Sequence, residues 1–413
     1  MTLSEDLTWR GLIKDRTFSD VKWLDEPRKF YLGLDASSDS LVIGNLAVLM
    51  LARRLIEAGW QGILLAGGAT SLIGDPGGKD QERDLKSEEE ISHNIEGIKD
   101  EIEGILEGAP HELVNNLDWN ADYKYLDFLR DIGKYYSMTE LMQRDFVTER
   151  MGEGGSGISY AEFSYSLIQG YDFWHLFKNM GVVLQIGASD QWGNMLSGVP
   201  LVRKKEGQEV HAFSMPLVIN KQTGRKFGKS EEGAIWLDPH KTSPFKFYQF
   251  WINTDDDGVE DYLKIYTLLN KEEIQNLIAE FKQNPQERKA QKVLAYEVTK
   301  IVHGEDMAKK QEKVTEAVFG GGLENLDEAE IATVREEFPN LTIPSGMPII
   351  DILVSTGLAQ SNSEARRLKE SGAVYINNEK FTEDHIEASH FQNKRLLIRR
   401  GKAFKDSALI ELQ

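Results

Sequence analysis

The sequence has no cysteine, which excludes disulfide bonds and thiolate metal sites and is typical of a reducing compartment. Its eight histidines include no HxH or HxxxH pair, so we expect no structural metal. No apolar run approaches the ~20 residues that a membrane-spanning helix needs. The opening residues, MTLSEDLTWRGLIKD, carry early acids and no apolar core, unlike a targeting segment. These absences predict a cytoplasmic protein that does not insert into a membrane.

Positive charge is also scarce. The 413 residues carry a net charge of −19, which argues against attraction of nucleic acid to the whole surface. The segment from Pro344 to the end is different, because ten Lys and Arg there face nine Asp and Glu. It carries +1, and the remainder carries −20. A locally basic module on an acidic body can bind RNA through one patch.

Three short apolar runs indicate the fold class. FYLGLD (30–35), GILLAG (62–67) and VVLQIG (182–187) each precede small or polar residues and then helix-like sequence. This alternation is typical of an α/β fold with a doubly wound parallel sheet, which binds ligands at the carboxyl ends of its strands. Later sequence is helical and charge-rich, and VYINNEK and RLLIRRGKAF predict strands near the end. The predicted division is a doubly wound α/β domain over 1–230, an α-helical domain over 231–325, a linker over 326–345 and a small α+β domain over 346–413.

One predicted helix presents a polar stripe within apolar surroundings. In SYAEFSYSLIQGYDFWHLF, SYAE (159–162) fits a capping box, and Tyr165, Gln169 and Asp172 follow at i, i+4 and i+7. The stripe is either a solvated face or, because its neighbours are aromatic and apolar, a buried stripe that a polar ligand would satisfy.

Two segments combine glycine with lysine. GGATSLIGDPGGKDQER (67–83) contains Lys79 and Arg83, and GRKFGKS (224–230) contains Lys226 and Lys229. Both fail as P-loops, because three residues rather than four separate the relevant glycines. All four cations could be ordinary surface charges. Alternatively, the second segment could be a mobile loop that closes on a polyphosphate and neutralises developing charge.

A small-residue turn, SSDSLVIGNL (37–46), links the first predicted strand to a helix. Such a turn can hold phosphate, because the amides at a helix N-terminus point outward. It carries no glycine-rich fingerprint and no cationic side chain, so the residues that would neutralise a bound nucleotide must come from elsewhere.

Together these segments resemble one family, the bacterial-type tyrosyl-tRNA synthetases, which are class I aminoacyl-tRNA synthetases. The resemblance runs in order over nearly the whole chain. Its strongest blocks are GGATSLIGDP, FLRDIGKYYS, EFSYSLIQGYDF, LQIGASDQWGN, KFGKS, WLDPHKTSPFKFYQFWINT and VTKIVHGED. The resemblance implies a Rossmann-like catalytic domain over 1–230 and a small RNA-binding domain over 346–413. It also implies an enzyme that joins L-tyrosine to tRNA(Tyr), with ATP as a substrate and Mg²⁺ accompanying it.

The resemblance assigns roles to residues of this sequence. Tyr31 and Asp172 would hold the substrate hydroxyl, which a phenol and a carboxylate can both satisfy. Its ammonium group would contact Asp75, Tyr165 and Gln169. The implied tyrosine-binding set is Tyr31, Asp75, Tyr165, Gln169, Asp172, Gln185 and Gln191.

The same resemblance implies an ATP site in which Asp190 contacts the ribose and the lysines meet pyrophosphate in the transition state. The implied ATP-binding residues are Asp35, Ser37, Gly44, Asn45, Asp190, Lys226 and Lys229. The implied catalytic residues are Lys226, Lys229, Ser37, Asn45, Lys79 and Arg83.

The end of the chain, with SNSEARRLKESGAVYINNEK, resembles an RNA-binding motif shared with a ribosomal small-subunit protein. In the family this domain helps to bind the long variable arm of the tRNA. The candidate phosphate contacts, each of which could instead be a solvated surface charge, are Arg366, Arg367, Lys369, Lys394, Arg395 and Lys402. The block FLRDIGKYYS corresponds to part of the family's dimer interface, so the resemblance implies a homodimer.

The turn departs from the family pattern, which reads roughly PTADSLHIGH. Val42 and Asn45 stand where the two histidines are usual, and Ala36 and Ser37 replace the proline and threonine. Asparagine keeps a donor and an acceptor, whereas valine cannot donate to a phosphate. Loss of such a donor costs ~1.5–3 kcal/mol, or roughly ten- to a hundredfold in rate. Ala188 replaces a usual glycine, and its methyl could crowd the adenylate.

Three functions remain open from the sequence. The first is a working tyrosine–tRNA ligase, slowed or compensated at Val42. The second is a catalytically weakened paralogue that binds RNA or regulates. The third is a tyrosine-adenylating enzyme that serves another acceptor, which the presence of the RNA-binding segment disfavours.

Overall fold

The computed structural model describes residues 1–75, 86–143, 145–152, 156–230, 233–401 and 406–413, with the backbone alone at positions 145, 146, 149, 229, 230 and 321. These residues form two compact units. The first comprises 1–243 and 250–302, and the second comprises 244–249 and 303–413. No helix among the described ranges is long and apolar enough to cross a membrane.

A five-stranded parallel sheet forms the centre of the first unit, in the order β3-β2-β1-β4-β5. Its strands are β1 Lys29–Leu34, β2 Gln61–Ala66, β3 His111–Asn115, β4 Leu184–Ala188 and β5 His211–Met215. The predicted doubly wound sheet is confirmed, and its three apolar runs form β1, β2 and β4. The strand order reverses between β1 and β4, which is where an open α/β sheet leaves a crevice for ligands.

The unit also contains helices of very different lengths. In chain order they are α1 Leu3–Arg10, α2 Ile43–Glu57, α3 Gly68–Ile73, α4 Glu88–Ile105, α5 Leu117–Asn120, α6 Tyr125–Asp131, α7 Met138–Met142, α8 Asp145–Met151, α9 Tyr160–Met180, α10 Trp192–Met195, α11 Gly198–Glu206, α12 Pro244–Ile252, α13 Val259–Tyr266, α14 Lys271–Gln283 and α15 Lys289–His303. Helix α12 begins in the residues of the second unit. Two short strands, β6 Lys229–Ser230 and β7 Gly233–Ala234, pair as a hairpin.

The polar-stripe helix, α9, begins where the sequence predicts. Ser159 is its N-cap and accepts a hydrogen bond from the Glu162 backbone N–H, while the Glu162 carboxylate accepts one from the Ser159 backbone. Gly181 ends the helix in the left-handed conformation, at φ 73°. The predicted capping box is confirmed.

The second unit contains a five-stranded mixed sheet, in the order β11-β10-β13-β14-β8, and a two-stranded sheet of β9 and β12. Its strands are β8 Asn340–Ile343, β9 Met347–Pro348, β10 Val374–Ile376, β11 Glu379–Lys380, β12 His385–Ile386, β13 Arg395–Arg400 and β14 Ser407–Leu412. Its further helices are α16 Glu305–Glu316, α17 Glu328–Glu337, α18 Ile349–Ser355 and α19 Asn362–Glu370. The strands expected from VYINNEK and RLLIRRGKAF are confirmed as β10, β11 and β13.

The segment predicted as a linker, 326–345, contains the regular elements α17 and β8. Asp327 and Glu330 form a capping box for α17, and Ile331 and Val334 are buried. Strand β8 pairs in parallel with β14. Because this stretch is rich in acidic residues, its short helix with buried apolar side chains was not predicted from the sequence. The predicted helical domain, 231–325, falls partly in each unit. The four-part division therefore stays a prediction.

Candidate active site

A cavity of about 440 Å³ opens at the carboxyl ends of β1 and β4. Its walls come from strand ends, the turn before α2, helix α9 and the segment after β4. All seven residues of the predicted tyrosine-binding set line it, as do Asp35, Gly44, Asn45, Asp190 and Lys226 of the predicted ATP-binding set. The fold thus brings together residues that lie as far apart in the sequence as Tyr31 and Lys226.

Three side chains hold the carboxylate of Asp172 in the cavity. It is 1% exposed and accepts hydrogen bonds from the side-chain nitrogens of Asn116 at 2.9 Å, Trp119 at 2.8 Å and Asn120 at 3.0 Å. Burial raises the pKa of Asp172 to about 6, while the three donors act in the opposite direction. An ionised carboxylate has about four acceptor sites, so one remains for a ligand.

Tyr31 brings a phenol to the same end of the cavity. Its ring is 1% exposed and packs against Phe173, with ring centroids 5.2 Å apart. The sheet register pairs Tyr31 with Gln185, which is also buried. Among the described residues no partner lies within hydrogen-bonding distance of the Tyr31 hydroxyl or of Gln169 Oε1, although both atoms are buried. A polar ligand would satisfy these atoms, which favours the ligand-binding alternative for the polar stripe.

Asp75 belongs to a second polar group on the cavity wall. Its carboxylate accepts a hydrogen bond from Gln191 Nε2 at 2.6 Å, and Asn194 Nδ2 approaches it at 3.5 Å. Asn194 also donates to Gln191 Oε1 at 3.1 Å. The two amides orient the buried carboxylate, which suits it to accept from an ammonium group.

The turn before α2 forms another wall of the cavity. Asn45 Oδ1 accepts from the Val42 backbone N–H at 3.0 Å, so this amide caps the helix and leaves Nδ2 as its remaining donor. A Cβ built on Gly44 would meet no atom within 4 Å, which leaves room for a ligand over the first turn of α2. The Val42 side chain lines the cavity as an alkyl group.

Two predicted ATP contacts, Asp35 and Ser37, bond to each other. The Ser37 hydroxyl donates to Asp35 at 3.1 Å, and Ser71 Oγ donates to the same carboxylate at 2.8 Å. Asp35 lines the cavity, whereas Ser37 is not among the described residues that do. The hydroxyl of Ser37 therefore supports Asp35 in this structure.

The segment GRKFGKS (224–230), called here the lysine loop, places one cation, Lys226, at the cavity. Lys226 Nζ lies 2.9 Å from Asp190 Oδ2, and the two side chains are 54% and 41% exposed. The next residue, Phe227, is buried and stacks on Tyr262 with ring centroids 4.1 Å apart. Phe227 thus anchors the loop beside its exposed lysine. Lys79, Arg83 and the side chain of Lys229 lie outside the described residues.

Ala188 ends strand β4 with φ −80° and ψ 159°. This is extended backbone that any residue adopts, so alanine in place of the family's glycine needs no left-handed conformation. The side chain is half-buried and lines the cavity.

The predicted RNA contacts differ in what they touch within the second unit. Arg366, Arg367 and Lys394 are exposed. Lys369 pairs with Asp384, whereas the Arg395 guanidinium lies 3.3 Å from Glu411 and also pairs with Glu328. Lys402 lies outside the described residues.

Several supporting residues were missed from the sequence. They are the partners of Asp172, Asp75 and Asp35, namely Asn116, Trp119, Asn120, Asn194 and Ser71. Asn116 could have been found from its position directly after β3, since ligands bind at the carboxyl ends of such strands. That strand has the polar sequence HELVN, which does not read as an apolar run.

Comparisons with known proteins show the family to which the chain belongs. The sequence model of the class I tRNA synthetases (W and Y) matches residues 24–320, and that of the tyrosine–tRNA ligase SYY-like C-terminal domain matches residues 330–405. The chain belongs to the class I tRNA synthetases. The first of these two matches covers all the described residues that line the cavity.

Within this family, the relatives and the solved structure described next are tyrosine–tRNA ligases or tyrosyl-tRNA synthetases. The chain is 44% identical over 414 residues to the tyrosine–tRNA ligase of Geobacillus kaustophilus, covering 97% of this chain and 98% of the relative. It is 44% identical over 388 residues to that of Roseiflexus castenholzii, covering 91% of each. A C-terminally truncated mitochondrial tyrosyl-tRNA synthetase from Aspergillus nidulans superposes with a TM-score of 0.69 at 32% identity, covering 77% of this chain and 94% of that one.

Proposed function

We propose that this protein is a tyrosine–tRNA ligase, which activates L-tyrosine with ATP and transfers it to tRNA(Tyr). The observation that carries the proposal is the pair of polar groups at the buried end of the cavity. Asp172 has one acceptor site left after its three donors, and Tyr31 brings a buried hydroxyl without a partner among the described residues. A substrate phenol would donate to the carboxylate and bond to the Tyr31 hydroxyl.

The second polar group on the cavity wall, Asp75 with Gln191, suits the amino group of the substrate. Asp75, oriented by Gln191, accepts from the ammonium, and Gln169 Oε1 is a further buried acceptor. Tyr165 lies on the same face of α9, where its hydroxyl is a third acceptor. The two ends together select a hydroxyl and an ammonium group at a fixed separation, and phenylalanine would leave Tyr31 and Asp172 unsatisfied. Rejection of phenylalanine by ~10⁵ on this ground is a known property of the family.

The reaction needs positioning rather than a covalent nucleophile on the protein. A carboxylate oxygen of tyrosine attacks the α-phosphorus of ATP, the bond from that phosphorus to the bridging oxygen breaks, and pyrophosphate leaves. A hydroxyl at the tRNA 3′ end then attacks the tyrosyl carbonyl carbon and gives up its proton, the bond from that carbon to the phosphate oxygen breaks, and AMP leaves. Lys226 is the one cation among the described residues that line the cavity, and Asp190 would bond the ribose once the lysine turns to phosphate.

ATP is the second substrate of class I synthetases, and we propose that Mg²⁺ enters with it. No group of three or more His, Asp or Glu side chains within the described ranges could hold a metal ion by itself. The ion would instead be held mainly by the phosphate oxygens, as is usual for Mg²⁺ with nucleotides.

We also propose that the protein works as a cytoplasmic homodimer that binds tRNA through its second unit. Large apolar side chains are exposed around the block that corresponds to the family's dimer interface, among them Tyr125, Leu126 and Met138 at 63%, 75% and 60%. Arg366, Arg367 and Lys394 are exposed cations that could contact tRNA phosphates.

Aminoacylation tests the proposal directly. The full chain would be incubated with ATP, Mg²⁺, radiolabelled tyrosine and tRNA(Tyr), with phenylalanine and a non-cognate tRNA as controls. We expect charging with tyrosine on tRNA(Tyr) alone. Absence of charging by the free enzyme would overturn the proposal.

A further inference from the structure

Side chains from outside the turn between β1 and α2 hold its backbone. The Ala36 N–H donates to Ser71 Oγ at 3.0 Å, and the Ala36 carbonyl accepts from Asn94 Nδ2 at 2.9 Å. At the other end of the turn, the Leu41 N–H donates to the Glu101 carboxylate at 2.7 Å. Ala36 and Leu41 are both buried, so these backbone groups need such partners. Alanine at position 36, where the family pattern has proline, supplies the N–H that Ser71 accepts.

Two of these partners lie on one flank of helix α4. Asn94, Gly97 and Glu101 are spaced at i, i+3 and i+7, which places them along the same side of the helix. The adjacent face carries buried isoleucines, among them Ile98 and Ile102, which pack the helix into the core. The flank is therefore a fixed support for the turn.

Gly97 permits the closest approach between α4 and the turn. A Cβ added there would lie 2.3 Å from the backbone oxygen of Asp39 and 3.2 Å from its carbonyl carbon. Backbone cannot yield as a flexible side chain can, so any side chain at this position must displace the turn. Gly104 lies on the same helix, and a Cβ there would meet nothing within 4 Å.

We propose that Asn94, Gly97 and Glu101 are positioning residues that set the place of the turn over ATP. The inference rests on the proposed function, and it adds that residues of α4 hold the turn in the position that ATP binding requires. None of the three is among the described residues that line the cavity, so they act through the backbone of 36–41 rather than on the substrates.

The setting of Glu101 agrees with a positioning role. Burial raises the pKa of Glu101 to about 6, with Ser40 and the Leu41 N–H acting against that shift, followed by a smaller increase from Asp238 and a decrease from Lys241. The carboxylate is thus partly desolvated in order to accept from the turn. Glutamine would keep the accepting oxygen without the charge.

The first test compares Gly97→Ala with Gly104→Ala. Alanine raises helix propensity at both positions, so a difference between the two variants reports the contact of position 97 with the turn. We expect Gly97→Ala to lower kcat/KM for ATP in tyrosine-dependent ATP–pyrophosphate exchange by ~10- to 100-fold, because small displacements of reacting groups are costly. Tyrosine affinity, measured by equilibrium dialysis without ATP, should not change. Gly104→Ala should match the parent in both measurements.

The second test compares Glu101→Ala with Glu101→Gln, and it decides the matter if Gly97→Ala does not fold. We expect the alanine variant to lose ATP kinetics and the glutamine variant to retain them. Equal ATP kinetics for Gly97→Ala and Gly104→Ala, or equal kinetics for the two Glu101 variants, would overturn the inference. A parallel loss of tyrosine affinity would also overturn it, since that indicates general damage. A parent without exchange would contradict the proposed function instead.

Discussion

The two ends of the cavity are built differently. At the proposed tyrosine end, Asp172 and Tyr31 are each 1% exposed, and three donors fix the carboxylate. At the proposed nucleotide end, Lys226 and Asp190 are 54% and 41% exposed and bond to each other. Under the proposed function, the Asp172 carboxylate is fixed before a ligand arrives, whereas Lys226 and Asp190 would exchange their ion pair for contacts to ATP.

This difference matches what each end would recognise under the proposed function. A phenol differs from a phenyl ring by one hydroxyl, and only buried polar groups reject the molecule that lacks it. A polyphosphate carries several charges, and cations that reach it late can favour the transition state over the ground state. Buried groups therefore suit specificity, and an exposed lysine suits catalysis.

The largest effect is expected at Lys226. Under the proposed function Lys226 meets the developing pyrophosphate, so in Lys226→Ala kcat for exchange should fall by ~10²- to 10³-fold while tyrosine affinity stays unchanged. Arg225→Ala is the matched control, because Arg225 is an exposed neighbouring cation. Stopped-flow or exchange kinetics would measure the change. A loss confined to KM for tyrosine would break the division of roles between the two ends.

A smaller effect is expected at Asp172, and it should appear in KM for tyrosine rather than in kcat. Asp172→Asn aims an amide nitrogen at one of three donors and removes a charged acceptor, so KM for tyrosine should rise by ~10²-fold. Discrimination against phenylalanine should fall as well. Asp122→Asn, at an exposed position, is the control. Unchanged discrimination would contradict the role given to Asp172.

The raised pKa of Asp172, about 6, predicts a pH dependence. The carboxylate is ionised at pH 8 and protonates as pH falls through about 6, so tyrosine affinity should weaken there and the Asp172→Asn variant should lack this step.

The contribution of Asp172 to the free energy of unfolding should change with pH in the opposite sense to tyrosine affinity. Because the folded-state pKa lies above the unfolded value, the contribution of this group to the free energy of unfolding is present at low pH and lost as pH rises through 6.

A gain of ~10- to 100-fold in exchange rate is expected for Val42→His, which restores a donor that the family pattern has at this position. Val42→Leu is the control, since it changes side-chain shape without adding a donor. Equal rates for Val42→His and the parent would indicate that other groups, such as Asn45 Nδ2, already supply the interaction.

The smallest effect is expected in the second unit. Arg366→Ala or Arg367→Ala should raise KM for tRNA a few-fold, lower the salt dependence of tRNA binding by about one charge, and leave exchange unchanged. Lys380→Ala, an exposed cation outside the predicted set, is the control. A loss of exchange activity would contradict the assignment of these arginines to RNA.

The sequence was sufficient to predict those elements that are marked by apolar runs or by regularly spaced polar residues. The runs of β1, β2 and β4 and the capping box at Ser159 follow local rules. The stripe of Tyr165, Gln169 and Asp172 followed from helical spacing. The resemblance then linked these pieces to one reaction.

What the sequence did not indicate depends on tertiary contacts. Strands β3 and β5 carry polar residues in short segments, so no apolar run marked them. The three donors to Asp172 follow β3 and could not be found without it. The acidic stretch 326–345 contains α17 and β8, whose stability comes from packing and pairing within the second unit.

The most direct test of the proposed function is tyrosine-dependent ATP–pyrophosphate exchange by the parent protein, with phenylalanine in place of tyrosine as the control. We expect robust exchange with tyrosine and essentially none with phenylalanine, because only tyrosine would satisfy Tyr31 and Asp172. A parent that is silent with both amino acids, and stays silent as Val42→His, would contradict the enzymatic assignment and favour an RNA-binding paralogue.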